Sequence, residues 1–141
     1  APGCVISDVG SSKADVAAKL AAALPGHAIV PAHPVAGTEN SGPGAGFATL
    51  FAGRWCILTP LSDTPAAATT RVDALWTALG ARVEVMDAVH HDLVLAVTSH
   101  LPHLIAYTIV GTASELEEVT EGEVIKYSAG GFRDFTRIAA S

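Results

Sequence analysis

Apolar residues occur in short runs over the first 86 residues and in one long run after them. The short runs predict four buried β-strands, over residues 4–6, 28–30, 55–60 and 82–86. Alanine-rich stretches with helical spacing lie between them, over residues 14–24 and 65–79, and a glycine follows each stretch within two positions. This strand–helix–strand order occurs twice and predicts an α/β sheet with mostly parallel strands.

The long apolar run begins at residue 87 and has the pattern of a helix. Apolar residues cover a broad face of residues 87–113, and Pro102 predicts a kink because proline cannot donate to the carbonyl four residues back. His100 and His103 interrupt this stretch near its middle, which favours a core helix over a membrane span. The change of pattern places a domain boundary between residues 1–86 and residues 87–141.

Composition and charge narrow the class of protein. Half of the residues are hydrophobic, which is typical of a globular domain, and the net charge of −6 argues against nonspecific nucleic-acid binding. Cys4 and Cys56 match no metal spacing and no disulfide framework, so we expect a reducing, cytoplasmic environment.

Residues 32–42 carry the highest density of chemically active side chains. His33 alone is typical of a surface or helix-capping histidine, but Thr38, Glu39 and Ser41 follow it in a glycine-containing segment that we predict to be a loop. A neutral imidazole can accept a hydroxyl proton at neutral pH, which oxidation of an alcohol to a carbonyl requires. The segment therefore predicts an active-site loop with His33 as proton acceptor.

Three further positions have both an ordinary and a functional interpretation. His103 lies three residues after His100, so both share a helical face, but no third ligand is evident and we predict no metal site. Instead, one of the two histidines faces a ligand cavity at the Pro102 kink, or both are simply tolerated there. Arg137 is predicted to bind a carboxylate through its two-pronged guanidinium, with a surface ion pair as the alternative.

A dinucleotide fingerprint is missing from these 141 residues. The stretch over residues 42–47 contains three glycines, but Phe47 stands where the last glycine of the fingerprint belongs and no strand immediately precedes it. We therefore expect that a nucleotide-binding N-terminal half is absent from this chain.

Five blocks of sequence, in order, resemble the prephenate/arogenate dehydrogenase family of tyrosine biosynthesis. These blocks are Ser7–Lys13 (SDVGSSK), His33–Gly42 (HPVAGTENSG), Ile57–Pro60 (ILTP), Ser99–His103 (SHLPH) and Gly130–Ile138 (GGFRDFTRI). The resemblance implies the C-terminal part of a Rossmann-like sheet followed by the start of an all-α domain that forms a homodimer. It also implies oxidative decarboxylation of prephenate or arogenate with hydride transfer to NAD or NADP.

The resemblance also implies a role for individual residues. His33 resembles the catalytic histidine, and Ser11 resembles a serine that orients this histidine and the substrate. Ser11 is also the predicted cofactor-binding residue. The predicted substrate-binding residues are Thr38, Glu39, His103, Gly130 and Arg137. Arg137 would anchor a carboxylate, and Gly130 would reach the pocket, either of its own subunit or of the neighbouring one. We expect no activity from this chain alone.

Three other functions compete with this interpretation. A related β-hydroxyacid dehydrogenase would carry a catalytic lysine on the long helix, and residues 87–113 contain no lysine. A non-catalytic module that senses tyrosine-like ligands remains open, since the same pocket residues would serve it. A purely structural α/β domain leaves the clustered polar side chains unexplained.

Overall fold

The computed structural model describes residues 3–37, 42–117 and 123–139. The α/β part contains five strands and two helices: β1 (Val5–Ile6), α1 (Ala14–Ala23), β2 (Ala28–Ile29), β3 (Ala32–Pro34), β4 (Trp55–Leu58), α2 (Ala66–Ala78) and β5 (Arg82–Val85). The helical part contains α3 (Ala88–Leu95), a π-helical turn (Ala96–His100), α4 (Leu101–Glu117), α5 (Glu123–Lys126) and α6 (Gly130–Thr136). Short 3-10 turns cover Pro43–Ala45 and Arg137–Ala139.

The strands form two small sheets, and parallel pairing predominates. β1 pairs with β2 in parallel, and β4 pairs with β5 in parallel, whereas β3 runs antiparallel to β4. The predicted strands and helices over residues 4–86 are all present, with ends that differ by one or two residues. The predicted loop around His33 is wrong in one respect, because Ala32–Pro34 forms β3. A three-residue strand that ends in proline leaves no readable alternation in the sequence.

The core of the α/β part lies between the β3–β4–β5 sheet and helix α2. Val72 and Trp76 of α2 are buried against Val30, Ala32, Cys56 and Leu58. Phe51 meets Trp76 edge to face, with ring centroids 5.1 Å apart. Gly80 ends this helix with a φ of +85°, a conformation that favours glycine. This core fixes β3 and therefore the position of His33.

The chain divides into two compact units. Of the described residues, one unit comprises residues 3–37 and 46–95, and the other comprises residues 42–45, 96–117 and 123–139. Helix α3 thus belongs to the first unit, and helices α4, α5 and α6 belong to the second. The predicted boundary between residues 86 and 87 stays a prediction.

The long helix contains the irregularity expected at Pro102. Residues 96–100 form a π-helical turn directly before α4, whose second residue is Pro102. Because Pro102 has no N–H for the carbonyl four residues back, a regular α-helical ladder cannot continue through this point.

The described part of the chain does not bury the apolar face of this helix, so the expectation of a core helix is wrong for these residues. Leu93, Val97 and Leu104 are 66%, 61% and 65% exposed. In the second unit, α4 buries its small residues Ala106 and Ala113. By length and composition the stretch Ala88–Leu116 could cross a membrane, since its mean hydropathy is 1.6, but one or two such helices are weak support for a membrane protein. The exposed face needs a cover that these residues do not supply.

Candidate active site

His33 lies on β3 and is held in place by the backbone of its neighbour strand. It pairs with Ile57 of β4, and the residue is only 9% exposed. Its ring meets the ring of His91 from helix α3 edge to face, with centroids 5.1 Å apart and an interplanar angle of 69°. His91 is fully buried. Both histidines belong to the first unit, so a strand and a helix of one compact body position them.

Two hydrogen bonds join these histidines to a carboxylate. His33 Nδ1 lies 2.9 Å from His91 Nε2, and His91 Nδ1 lies 2.8 Å from Asp92 Oδ1. A carboxylate only accepts hydrogen bonds, so the proton of His91 belongs on Nδ1. His91 Nε2 then carries a lone pair and accepts from His33 Nδ1–H. When both rings are neutral, this arrangement leaves the lone pair of His33 on Nε2.

Asp92 is itself anchored at the beginning of helix α1. Its Oδ1 accepts from the backbone N–H of Lys13 at 2.7 Å, and its Oδ2 accepts from that of Ala14 at 2.9 Å. The first backbone N–H groups of a helix have no partner within the helix, so a carboxylate from a distant segment can cap them. Asp92 therefore fixes α3 to α1 and the two histidines to both.

The hydrogen bonds at Asp92 keep its carboxylate charged. Partial burial is the largest single influence and opposes ionisation. The hydrogen bonds from the Ala14 N–H, the His91 ring and the Lys13 N–H together outweigh burial, so the pKa of Asp92 lies below its ordinary value. At neutral pH the chain of contacts thus ends in a full negative charge.

A buried ion pair lies beside this chain of contacts. The ammonium of Lys13 is fully buried, donates to Asp8 Oδ2, and donates to the carbonyl of Ala32 at 2.8 Å. Ala32 directly precedes His33, so the lysine also holds β3 in position. Burial raises the pKa of the nearby Cys56 thiol to about 12, although the charge of Lys13 works in the opposite direction. Cys56 is therefore a neutral core residue.

The structure places the predicted site residues in different units. His33 and the exposed Ser11 lie in the first unit, and Ser11 stands in the segment between β1 and α1. His103, Gly130 and Arg137 lie exposed in the second unit. His103 Nδ1 donates to the Ser99 carbonyl at 2.8 Å, from α4 back to the π-helical turn before it. Thr38 and Glu39 lie outside the described residues, so their roles stay predictions, as do those of the other residues.

His91 and Asp92 are candidate site residues that the sequence analysis did not assign. In the sequence they stand out only as a His-Asp pair on an apolar helix, where two polar residues need partners if they are buried. Within residues 3–37, 42–117 and 123–139, no three histidine, cysteine or acidic side chains form a cluster that could hold a metal ion.

Comparison with known proteins assigns the chain to a family. The model of the prephenate dehydrogenase nucleotide-binding domain matches residues 1–85, and that of the prephenate dehydrogenase dimerization domain matches residues 87–141. The chain belongs to the prephenate dehydrogenase family. This agrees with the resemblance seen in the five sequence blocks.

Relatives in the prephenate dehydrogenase family match nearly the whole chain. Cyclohexadienyl dehydrogenase of Zymomonas mobilis is 52% identical over 137 residues, which are 97% of this chain and 47% of that protein. Prephenate dehydrogenase of Bacillus subtilis is 37% identical over 138 residues, which are 97% of this chain and 37% of that protein. The chain thus spans about half or less of the length of these relatives.

Solved structures confirm the predicted fold class. Prephenate dehydrogenase from Aquifex aeolicus, in complex with hydroxyphenyl propionate and NAD+, has a TM-score of 0.88 and 38% identity. The match covers 98% of this chain and 48% of that one. A second structure of the Aquifex aeolicus enzyme has a TM-score of 0.85 and 36% identity, covering 94% of this chain and 47% of that one. The α/β sheet and the helical segment after it are those of this family.

Proposed function

We propose that the protein to which this chain belongs oxidatively decarboxylates prephenate or arogenate. The products would be 4-hydroxyphenylpyruvate or tyrosine, and a nicotinamide cofactor, NAD or NADP, would accept the hydride. Family membership supports the reaction class, and the lone pair on His33 Nε2 supports the proton step. The His33–His91–Asp92 chain is the observation that carries the proposal.

Apart from binding the cofactor, the protein would need to supply little more than substrate positioning and proton transfer. The substrate hydroxyl would give its proton to His33 Nε2, and a bound nicotinamide would supply the acceptor for the hydride from the same carbon. The ring carboxylate departs as carbon dioxide, its bonding electrons stay in the ring, and the ring becomes aromatic. The proton then returns to the oxygen as the phenol forms. Aromatisation supplies a large driving force, so the protein mainly orients the reacting groups.

The segment between β1 and α1 would contact the cofactor. It follows the carboxyl end of a parallel strand, where α/β proteins bind their ligands. Most of its residues are exposed, and Ser11 offers a hydroxyl there. The glycine fingerprint for the phosphates is not in these residues, so other parts of the protein would supply those contacts. The chain alone would then be inactive.

The remaining predicted residues would bind the substrate. Arg137 has the planar fork that matches a carboxylate, and Gly130 begins α6 where an added Cβ would meet open space. Thr38, Glu39 and His103 would surround the side chain that distinguishes prephenate from arogenate. Anchoring the side-chain carboxylate would add affinity without holding back the carboxylate that must leave.

We further propose that the protein is a cytoplasmic homodimer with no membrane partner. The exposed apolar face of residues 88–116 would be covered by a second subunit, and the matching family model over residues 87–141 is that of a dimerization domain. Both cysteines are free thiols, as a reducing compartment would keep them.

Steady-state kinetics of the full-length protein tests the proposed function. NAD and NADP reduction is measured with prephenate and with arogenate, in the natural protein and in His33→Gln. We expect turnover with at least one pair and a loss of about 10²-fold or more in kcat for the variant. His27→Gln, at an exposed histidine of the same unit, is the control and should keep full activity. No turnover in a folded, ligand-binding protein would instead favour a sensor of tyrosine-like molecules.

A further inference from the structure

The structure points to a tautomer-setting role for a residue pair outside the predicted site. We infer that His91, held by Asp92, is a positioning residue that keeps the proton of neutral His33 on Nδ1 and leaves Nε2 as the base. This inference rests on the proposed function of His33, and it names the device that prepares that base.

The assignment follows from the atoms at the two contacts. If His91 carried its proton on Nε2, its Nδ1 lone pair would face the Asp92 carboxylate at 2.8 Å, and two acceptors would repel each other. The same tautomer would donate to His33 Nδ1 and move the His33 proton to Nε2. His33 could then no longer accept the substrate proton there. The charge on Asp92 therefore selects the tautomer of His33 that leaves Nε2 unprotonated, and it acts through the ring of His91.

Burial of His91 strengthens the preference for this tautomer. His91 is fully buried, so water does not compete for its ring nitrogens. Asp92 cannot rotate away without giving up its bonds to the Lys13 and Ala14 N–H groups, which cap helix α1. The same carboxylate thus stabilises the helix and orients the imidazole. The charge of Asp92 would also stabilise the imidazolium that His33 becomes during turnover.

Substitutions at His91 separate the positioning role from simple packing. In the full-length protein, His91→Gln keeps an acceptor near the place of Nε2, whereas His91→Leu offers His33 Nδ1 no acceptor. We expect His91→Leu to lower kcat by about 10²-fold, with a small change in KM, and His91→Gln to recover most of that loss. Asp92→Asn keeps an acceptor but loses the charge, and its kcat should fall between those of the natural protein and His91→Leu.

The neighbouring His90 supplies the matched control. It lies exposed on the same helix, so His90→Gln and His90→Leu should keep the natural kcat. Thermal unfolding of every variant shows whether the protein remains folded at the assay temperature. Natural kcat in folded His91→Leu would overturn the inference. So would equal losses in His91→Gln and His91→Leu, because that pattern would mean that only the imidazole shape matters.

A direct measurement of the tautomer requires no turnover. Nitrogen-15 spectra of the histidine-labelled full-length protein, with His33 assigned through His33→Gln, distinguish protonated from unprotonated ring nitrogens. At a pH where His33 is neutral, we expect the proton on Nδ1 in the natural protein and a mixture of tautomers in His91→Leu. A proton on Nε2 in the natural protein would overturn the inference even if the enzyme is active. The expected tautomer in an inactive protein would refute only the proposed function.

Discussion

His33 Nδ1 lies 2.9 Å from His91 Nε2, although the two residues are 58 positions apart in the sequence. One ring comes from a short strand and the other from the first turns of a long helix. Their contact exists because Asp92, next to His91, caps the helix that follows the first strand. The helix cap and the histidine contact therefore depend on each other, and each has consequences that can be measured.

The first consequence is a loss of stability in acid that depends on Asp92. The folded-state pKa of Asp92 is lowered, so its contribution is fully present above its unfolded pKa, about 3.9, and disappears as the pH falls through the folded value. We expect Asp92→Asn to lower the urea midpoint of the full-length protein at pH 7 and to lower it progressively less below pH 4. An equal decrease in the urea midpoint at pH 7 and below pH 4 would show that the charge of Asp92 does not stabilise the fold.

Lys13, directly before helix α1, should contribute far more to the free energy of unfolding than Lys19 within the same helix. Lys13→Met would leave the Asp8 carboxylate and the Ala32 carbonyl without their buried donor, and such losses cost about 3 kcal/mol or more. Lys19 is 75% exposed and pairs with the exposed Asp15, so Lys19→Met should cost about 0.5 kcal/mol or less. Urea denaturation of the two variants checks the difference. Similar losses would mean that the Lys13 ion pair is not a structural link.

The apolar helix face should control the oligomeric state of the full-length protein. Leu104 is 65% exposed on α4, and Leu104→Glu would place a charge in the proposed subunit interface. We expect light scattering to give the mass of a dimer for the natural protein and mostly monomer for the variant. Leu75→Glu, at a 56% exposed leucine of α2, should remain dimeric. Dimers in both variants would place the interface elsewhere.

Cys56 should resist thiol reagents in the native protein. Burial raises the pKa of its thiol to about 12, so almost none is thiolate at pH 8, and its side chain is fully buried. Peptide mapping after brief maleimide treatment should find Cys56 unlabelled in buffer and labelled in urea. Cys4, which is exposed in this chain, should respond less to urea. Rapid native labelling of Cys56 would contradict the tight packing of β4.

The local pattern of the chain was sufficient for most of the helices and strands. Helices over residues 14–24 and 65–79 were predicted close to their observed bounds, since alanine-rich helical spacing and a following glycine act over neighbouring residues. The irregular turn before Pro102 is equally local, because it follows from one missing N–H. The order of the motif blocks was sufficient to indicate the family.

Tertiary structure decided what lies beside His33. β3 is too short to be seen in the sequence and forms only because β4 offers its backbone to Ala32–Pro34. The contact between His33 and His91, and the cap that Asp92 places on α1, join segments 58 to 79 positions apart, and no local preference encodes such pairs. For the apolar face of residues 88–116, too, the sequence decides one part and the tertiary structure the other. Its periodicity predicts a helix that needs a partner, but only the packing shows that residues 3–37, 42–117 and 123–139 do not supply one.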